Sequence, residues 1–402
     1  MSPTARPSGF IFDERCLDHN SGLLEGDLPC PYLEPTPHMD TPATRLRVLN
    51  MLQASGLLSI PHPEMPDAPG WLRLPLRVAT HREMRRAHSL AHIRHLTRLN
   101  LIGGEAGDEA PCGIGSFDVA RAAAGSCIEL VDAVCSGRIR NGYALVRPAG
   151  HHAERDRARG YCLLSNVAMA VRHAQAHYKF ARVAVVDFDV HHGNGTQSIF
   201  YDSDAVLTVS IHQAGNYPRK SGELDERGAG PSGASYNINV PLWPGAGQTD
   251  YKTTWDRVVL PALKAYDPQL IVVSAGFDAS FYDPLSRMML GSNDYRYFTR
   301  TLVDFADASA SCQGRVAVCH EGGYCDYYVP FCALAVCEEL LGVRTDVRDP
   351  FLAEINSHPG QDTLFAHQAS VIEQAASFVS DIVPPARDQV EVVWSEADSD
   401  EE

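Results

Sequence analysis

Several features that commonly settle a protein's class are missing from this sequence. Its 11 cysteines are odd in number and include no Cys-x-x-Cys pair, which argues against both a disulfide framework and a cysteine-built zinc ribbon. Cys127, Cys135, Cys319, Cys332 and Cys337 sit in apolar surroundings and read as buried thiols of a reducing compartment. No apolar run approaches the roughly 20 residues that a membrane helix needs. Met1 to Phe10 lacks a basic segment followed by an apolar core, so no secretory signal is read. There is no basic excess either: 34 Lys and Arg stand against 50 Asp and Glu, a net charge of −16. That balance argues against tight, sequence-independent nucleic-acid binding and is compatible with a cationic substrate such as a basic peptide. The expectation is an intracellular, cytoplasmic protein (nuclear in a eukaryote) with no direct nucleic-acid partner and no membrane partner.

What is present is an ordinary globular composition, 45% hydrophobic and 21% charged over 402 residues, with no internal repeat and no Gly/Ser linker. Residues 1–9, rich in Pro, Ser and Thr, are expected to be a disordered lead. The end from 381 to 402, with Pro384-Pro385 and a run of acids, is expected to be a disordered tail. Between them, 10–380 reads as one domain. Strand-like runs at 144–146, 182–189, 205–212, 236–242, 270–274 and 316–319 alternate with helical patterns at 116–136, 166–178, 253–265 and 293–309. A shorter strand at 10–12 and a helix at 41–55 precede them. This alternation predicts an α/β fold with a central, mostly parallel multi-stranded sheet and helices on both faces. The stretch 83–99 has helical spacing of Leu90, Ile93 and Leu96. Its histidines (His81, His88, His92, His95) lack carboxylate company and are expected on the surface.

The residues that carry chemistry collect at strand ends. The strand at 182–189 is β-branched and apolar, yet closes on Asp187-Phe188-Asp189-Val190-His191-His192-Gly193-Asn194-Gly195. A buried Asp is costly unless a cation or hydrogen bonds satisfy it, and period two would put Asp187, Asp189 and His191 on one face. Three further ends are similar: Arg147 to Glu154 with His151-His152, Val273 to Asp278, and His320 to Tyr324. Asp189, His191 and Asp278 would offer a metal three N/O ligands with a position left open. A paired His could accept a proton and a Tyr could donate to a developing oxyanion. Together these are the parts needed to hydrolyse an amide.

The signatures Arg-Pro-Ala-Gly-His-His-Ala-Glu (147–154), Val-Asp-Phe-Asp-Val-His-His-Gly-Asn-Gly-Thr-Gln (186–197), Ser-Ala-Gly-Phe-Asp-Ala (274–279) and Glu-Gly-Gly-Tyr (321–324) resemble the class II branch of the zinc-dependent histone deacetylases, of the histone deacetylase and acetylpolyamine amidohydrolase superfamily. The likeness runs from about Gly9 to Leu352, and Asn194, where class I members carry Asp, points to class II. The resemblance implies the arginase-deacetylase fold and a hydrolase acting on acylated lysine side chains of proteins or peptides, and it leaves a homo-oligomer open. It implies Asp189, His191 and Asp278 as ligands of one Zn2+. His152 would be the general base, oriented by Asn194, and His151 its electrostatic partner, oriented by Asp187. Tyr324 would hydrogen-bond the carbonyl oxygen. A K+ beside the zinc would use Asp187, Asp189, His191, Ser210 and Ile211. A more remote K+ would involve Phe200, Ser203, Val206 and Tyr236.

The chain departs from the family at its substrate tunnel. Tyr161 (after Gly160) and Tyr217 stand where two Phe are usual, and each adds a hydroxyl that needs a partner. Glu109, with Asp108 beside it, aligns with the acid that holds the substrate backbone. Leu285 replaces the Glu of polyamine-selective relatives and cannot pair with an ammonium, so a small acylated amine is the alternative substrate class. A binuclear manganese ureohydrolase would need more carboxylates after His191, and a non-catalytic module would not be expected to keep Tyr324.

Overall fold

The computed structural model describes residues 6–24, 36–58, 71–387 and 389–390. Eight parallel strands form its main sheet: β1 (Ser8–Phe12), β2 (Trp71–Arg73), β3 (Asn141–Leu145), β4 (Val183–Asp187), β5 (Val206–Gln213), β6 (Asn237–Leu242), β7 (Leu270–Ala275) and β8 (Val316–His320). Their order across the sheet is β6-β5-β4-β7-β8-β3-β1-β2. Every neighbouring pair runs parallel.

Parallel strands linked by helices are covered on both faces, which explains their unbroken apolar runs. Period two sorts those residues between two core layers. On β4, Val183 and Val185 face the layer built with α2 (Leu90–Ile102), α3 (Ser116–Cys135), α4 (Asn166–Tyr178) and α5 (Asn194–Phe200). Ala184 and Val186 face the opposite layer, shared with α1 (Ala43–Ala54), α8 (Ser292–Ala308) and α9 (Val329–Leu341). The same layer takes Trp255 and Leu263 from a helical run in which α6 (Gln248–Thr254) passes through a π turn (Trp255–Val259) into α7 (Leu260–Tyr266).

The strand order places the site. From β4 the chain steps outward to β5 and β6, then returns to lay β7 and β8 on the other side of β4. The crevice outside the carboxyl ends of β4 and β7 is therefore a topological switch point, where open α/β sheets bind ligands.

Several expectations need correction. The sheet begins at Ser8, so Ser8 and Gly9 belong to β1 and not to a disordered lead. At the other end, Ile382 is buried, Tyr236 Oη donates to the Val383 carbonyl at 2.6 Å, and Gln389 bridges to Phe180. The residues described between 381 and 390 thus pack on the body of the protein; residues 1–5 and 391–402 lie outside the described residues. The stretch 83–99 is two helices, His81–Arg85 and α2. His88 and His92 are buried, because backbone groups far along the chain partner their rings. His88 Nδ1 lies 2.9 Å from the Glu154 carbonyl, and His92 Nε2 lies 2.9 Å from the Leu163 carbonyl. Only His81 and His95 are exposed.

Candidate active site

Strand β4 ends at Asp187, two residues earlier than its sequence pattern suggests. Asp189 and His191 are therefore placed by a bend, not by strand periodicity. Asp278 arrives from the end of β7. The three side chains converge, each offering a ligand atom within 4.8 Å of the others. His191 Nδ1 lies 3.1 Å from both Asp189 Oδ1 and Asp278 Oδ2. Backbone N–H groups fix the carboxylates: His191 and Gly322 donate to Asp189 at 2.9 and 2.8 Å, and Val190 donates to Asp278 at 2.8 Å. Two glycines make room, since a Cβ on Gly276 would lie 2.1 Å from Asp189 Oδ2 and one on Gly322 2.2 Å from Asp278 Oδ2.

Both carboxylates are fully buried, and among the described residues their ion pairs are with histidines alone. Burial, with the charge of Asp189 added, lifts the Asp278 carboxyl to about 6. Burial pulls the His191 imidazole down, but its hydrogen bonds to Asp189 and Asp278 lift it to about 10. The triad thus gathers positive charge where a divalent cation would sit. Its donor set, one imidazole and two carboxylates, fits zinc with a further position open.

The adjacent histidines after β3 have different partners. His151 Nδ1 lies 3.0 Å from Asp187 Oδ2, and His152 Nδ1 lies 2.8 Å from Asn194 Oδ1. The ring centroids are 4.0 Å apart. Burial opposes charge on both, yet Asp189 and Asp187 hold His151 well above the ordinary histidine range. Burial together with the charges on His151 and His191 pushes His152 well below it. Charge is favoured on one imidazole and opposed on its neighbour, a division suited to an electrostatic partner beside a base.

These groups close the inner end of a cavity of about 270 Å³. His152, His191 and Tyr324 line it together with all five residues expected to meet substrate: Gly160, Tyr161, Tyr217, Leu285 and Glu109. Glu109 and Arg219 are exposed at the rim. Gly160 has φ +48°, and a Cβ there would lie 2.4 Å from His152 Cδ2 and 2.6 Å from Tyr217 Cε1, so the wall closes only around glycine. The Tyr161 N–H donates to the Glu109 carbonyl at 2.7 Å, tying wall to rim. Asp283 accepts from the backbone of Tyr324 at 2.7 Å and of Leu285 at 2.9 Å, holding both in place.

Of the residues assigned to the K+ beside the zinc, Asp187 and Ser210 sit opposite each other in the β4–β5 register, and Ile211 is buried next to Ser210. Ser210 Oγ lies 2.9 Å from His212 Nδ1. At the remote position, the Ser203 N–H donates to the Phe200 carbonyl at 2.9 Å, and Val206 opens β5.

Sequence reasoning passed over the groups that brace this site. Glu321 is fully buried and accepts from the backbone of Gly150 at 2.6 Å and of His151 at 3.2 Å, joining the β8 end to the histidine pair. Burial, offset in part by His151, lifts its carboxyl to about 7. Arg147, buried, donates to Asp40 at 3.1 Å and to the His19 carbonyl at 2.6 Å. Arg45 reaches from α1 to the Glu321 carbonyl. Arg147 and Glu321 stand inside the quoted signatures and were the available signal; nothing local marks Arg45 or Asp40.

The histone deacetylase domain model matches residues 38–340. A histone deacetylase-like amidohydrolase of Pseudomonas aeruginosa is 43% identical over 353 residues, covering 86% of this chain and 89% of that protein. Histone deacetylase clr3 of Schizosaccharomyces pombe is 36% identical over 359 residues, 85% of this chain but 49% of the yeast protein, so the chain spans about half the length of that relative. Among solved structures, the HDA15 HD domain superposes with a TM-score of 0.79 at 30% identity, covering 94% of this chain and 95% of the other. The eight-stranded parallel sheet is that of the arginase-deacetylase fold. With a triad that could hold a metal at the switch point and this breadth of likeness, the chain belongs to the histone deacetylase family of hydrolases.

Proposed function

We propose that this chain is a zinc-dependent, class II-like deacylase that removes acetyl or related acyl groups from the lysine side-chain amine of proteins or peptides. One observation carries the reading: a single cavity has a triad residue, a second histidine and a tyrosine at its inner end, and aromatic rings in its walls. That shape fits an apolar methylene chain ending in an amide.

Asp189, His191 and Asp278 would hold the zinc, which when bound polarises the substrate carbonyl and acidifies a water. His152 takes the proton of the attacking water as its oxygen bonds to the carbonyl carbon, and delivers that proton to the nitrogen as the C–N bond breaks. Tyr324 donates its hydroxyl hydrogen to the carbonyl oxygen as negative charge builds there. His151, held by Asp187, supplies a fixed positive charge beside the base. Tyr161 and Tyr217 flank the methylene chain, and Glu109 at the rim accepts from backbone N–H groups of the substrate. Potassium at Asp187, Ser210 and Ile211, and a second ion near Phe200, Ser203, Val206 and Tyr236, would stiffen the β4–β5 junction. Activity measured against K+ concentration tests that part.

Leu285 at the rim offers no carboxylate to a second ammonium, which favours acyl-lysine over acylated polyamines. The test is a panel of acetyl-, longer-acyl- and lactyl-lysine peptides beside acetylated polyamines, each with and without a hydroxamate. Hydroxamate-sensitive turnover of the peptides is expected. Turnover of polyamines alone would move the substrate class to small amines, and no turnover of any acyl-amine would sink the enzyme reading.

A further inference from the structure

Asn194 stands between two sets of partners. Its Oδ1 lies 2.8 Å from His152 Nδ1, while its Nδ2 lies 2.8 Å from Glu154 Oε1 and 3.2 Å from the His152 carbonyl oxygen. Both groups that face Nδ2, a peptide carbonyl and a carboxylate oxygen, accept and do not donate. The amide therefore sits one way round, with its NH2 toward Glu154 and its oxygen toward His152. An amide oxygen accepts and never donates, so a neutral His152 carries its proton on Nδ1. Nε2 is left bare, and among the described residues it makes no hydrogen bond. Turned over, the amide would donate to Nδ1 and move the ring proton to Nε2. The imidazole could then take no proton from water, and the carboxylate of Glu154 would face an amide oxygen.

Glu154 does not line the cavity, and it is firmly held. Arg159 Nη1 donates to Glu154 Oε1 at 3.0 Å and Nη2 to Asp108 Oδ2 at 2.8 Å. The Glu154 carbonyl is fixed by His88 Nδ1 at 2.9 Å, and the Ser165 N–H donates to His88 Nε2 at 2.9 Å. We infer that Glu154 is a positioning residue for the base: its carboxylate fixes the orientation of the Asn194 amide and, through it, the Nδ1–H tautomer of His152. Asn194 and Glu154 together do what one carboxylate at position 194 would do alone. The inference rests on the reading of His152 as proton acceptor.

The zinc-loaded enzyme with 15N-labelled histidine tests it directly. The His152 signals, assigned against His152→Phe, are expected to show a protonated Nδ1 and a bare Nε2 in the unaltered protein. A proton on Nε2 overturns the inference without recourse to any other variant. In Glu154→Gln, a side chain that offers either a donor or an acceptor no longer dictates the amide's orientation. Its kcat is expected to fall roughly 10- to 100-fold with KM and zinc content unchanged. Adding Asn194→Asp restores an acceptor-only group next to His152, and the double variant is expected to regain most of the loss. A fall of less than about fivefold, or a double variant no more active than E154Q, overturns it. Unaltered enzyme with no activity on any acyl-amine would sink the deacylase reading instead, and the same tautomer measurement on E154Q would still decide the role of Glu154. Loss of full Nδ1 protonation is expected there, and an unchanged Nδ1–H signal overturns the inference.

Discussion

Tyr217 donates its hydroxyl hydrogen to the backbone oxygen of Asp108 at 3.2 Å, so one wall of the cavity is tied to the segment that carries Glu109. The extra hydroxyl that sets this chain apart from the usual Phe therefore has a partner. Tyr217→Phe keeps the ring and loses the tie. The expected cost is about 0.5–1.5 kcal/mol of stability, read by urea unfolding, together with a raised KM and a nearly unchanged kcat. A large loss of kcat would mean that the hydroxyl meets the substrate instead.

Tyr324 lines the inner end of the cavity, its ring centroid 6.4 Å from that of His191. Tyr324→Phe removes one oxyanion donor and no metal ligand. A fall in kcat of roughly 10²–10³ is expected, with zinc content per chain unchanged by elemental analysis. Loss of zinc along with activity would contradict this assignment.

Gly276 gives Asp189 its space. In Gly276→Ala the new methyl would lie 2.1 Å from Asp189 Oδ2 and must displace the carboxylate. Metal affinity, measured by competition with a chelator, should drop roughly 10- to 100-fold. Gly342→Ala is the control: it strains a backbone at φ +69° but meets nothing within 4 Å, so it should leave metal affinity alone.

Three buried histidines should make the protein lose stability as pH falls below about 6.5. Burial pushes His19, His88 and His212 each down to about 3. Their folded values lie below the unfolded value near 6.5. From about pH 6.5 downward the unfolded chain takes up protons that the folded chain refuses, so stability is full above that pH and falls as pH falls. Each such group contributes a slope of up to about 1.4 kcal/mol per pH unit. Asp278 and Glu321, lifted to about 6 and 7, take up protons in the folded state over the same range and oppose this slope. The histidine part is therefore read between about pH 7.5 and 5 as the difference in pH dependence between the unaltered protein and His19→Asn. No difference would mean that the His19 ring takes up a proton in the fold.

Much of this arrangement was legible because the sheet's interior strands are apolar on both faces and end abruptly in acids and histidines. That contrast exposed β4, β7 and β8 and the residues at their ends. What stayed hidden depends on contacts distant in sequence. The polarity of His88 and His92 suggested solvent, yet the carbonyls of Glu154 and Leu163 satisfy them inside. Helix α9 is buried nearly all round, so no amphipathic stripe announced it. Strand β2 is three residues long and carries too little pattern to see. The Pro-rich end after 381 looked unable to pack, but Arg387 pairs with Asp204 across the surface. Glu109 and the tunnel tyrosines were found through alignment with a family pattern; their own residue types said nothing.

The switch point has a consequence for how the protein is made. Asp278 follows His191 by 87 residues and comes from a strand laid down after β5 and β6 are complete. A chain that has left the ribosome only as far as β6 carries two of the three ligands and lacks the second anion that makes the triad attractive to a divalent ion. Tight metal capture must wait until β7 is laid beside β4. Binding energy is then released only to chains with the correct strand order. Metal loading at this triad would thus act as an inspection step, separating finished molecules from those that have merely collapsed.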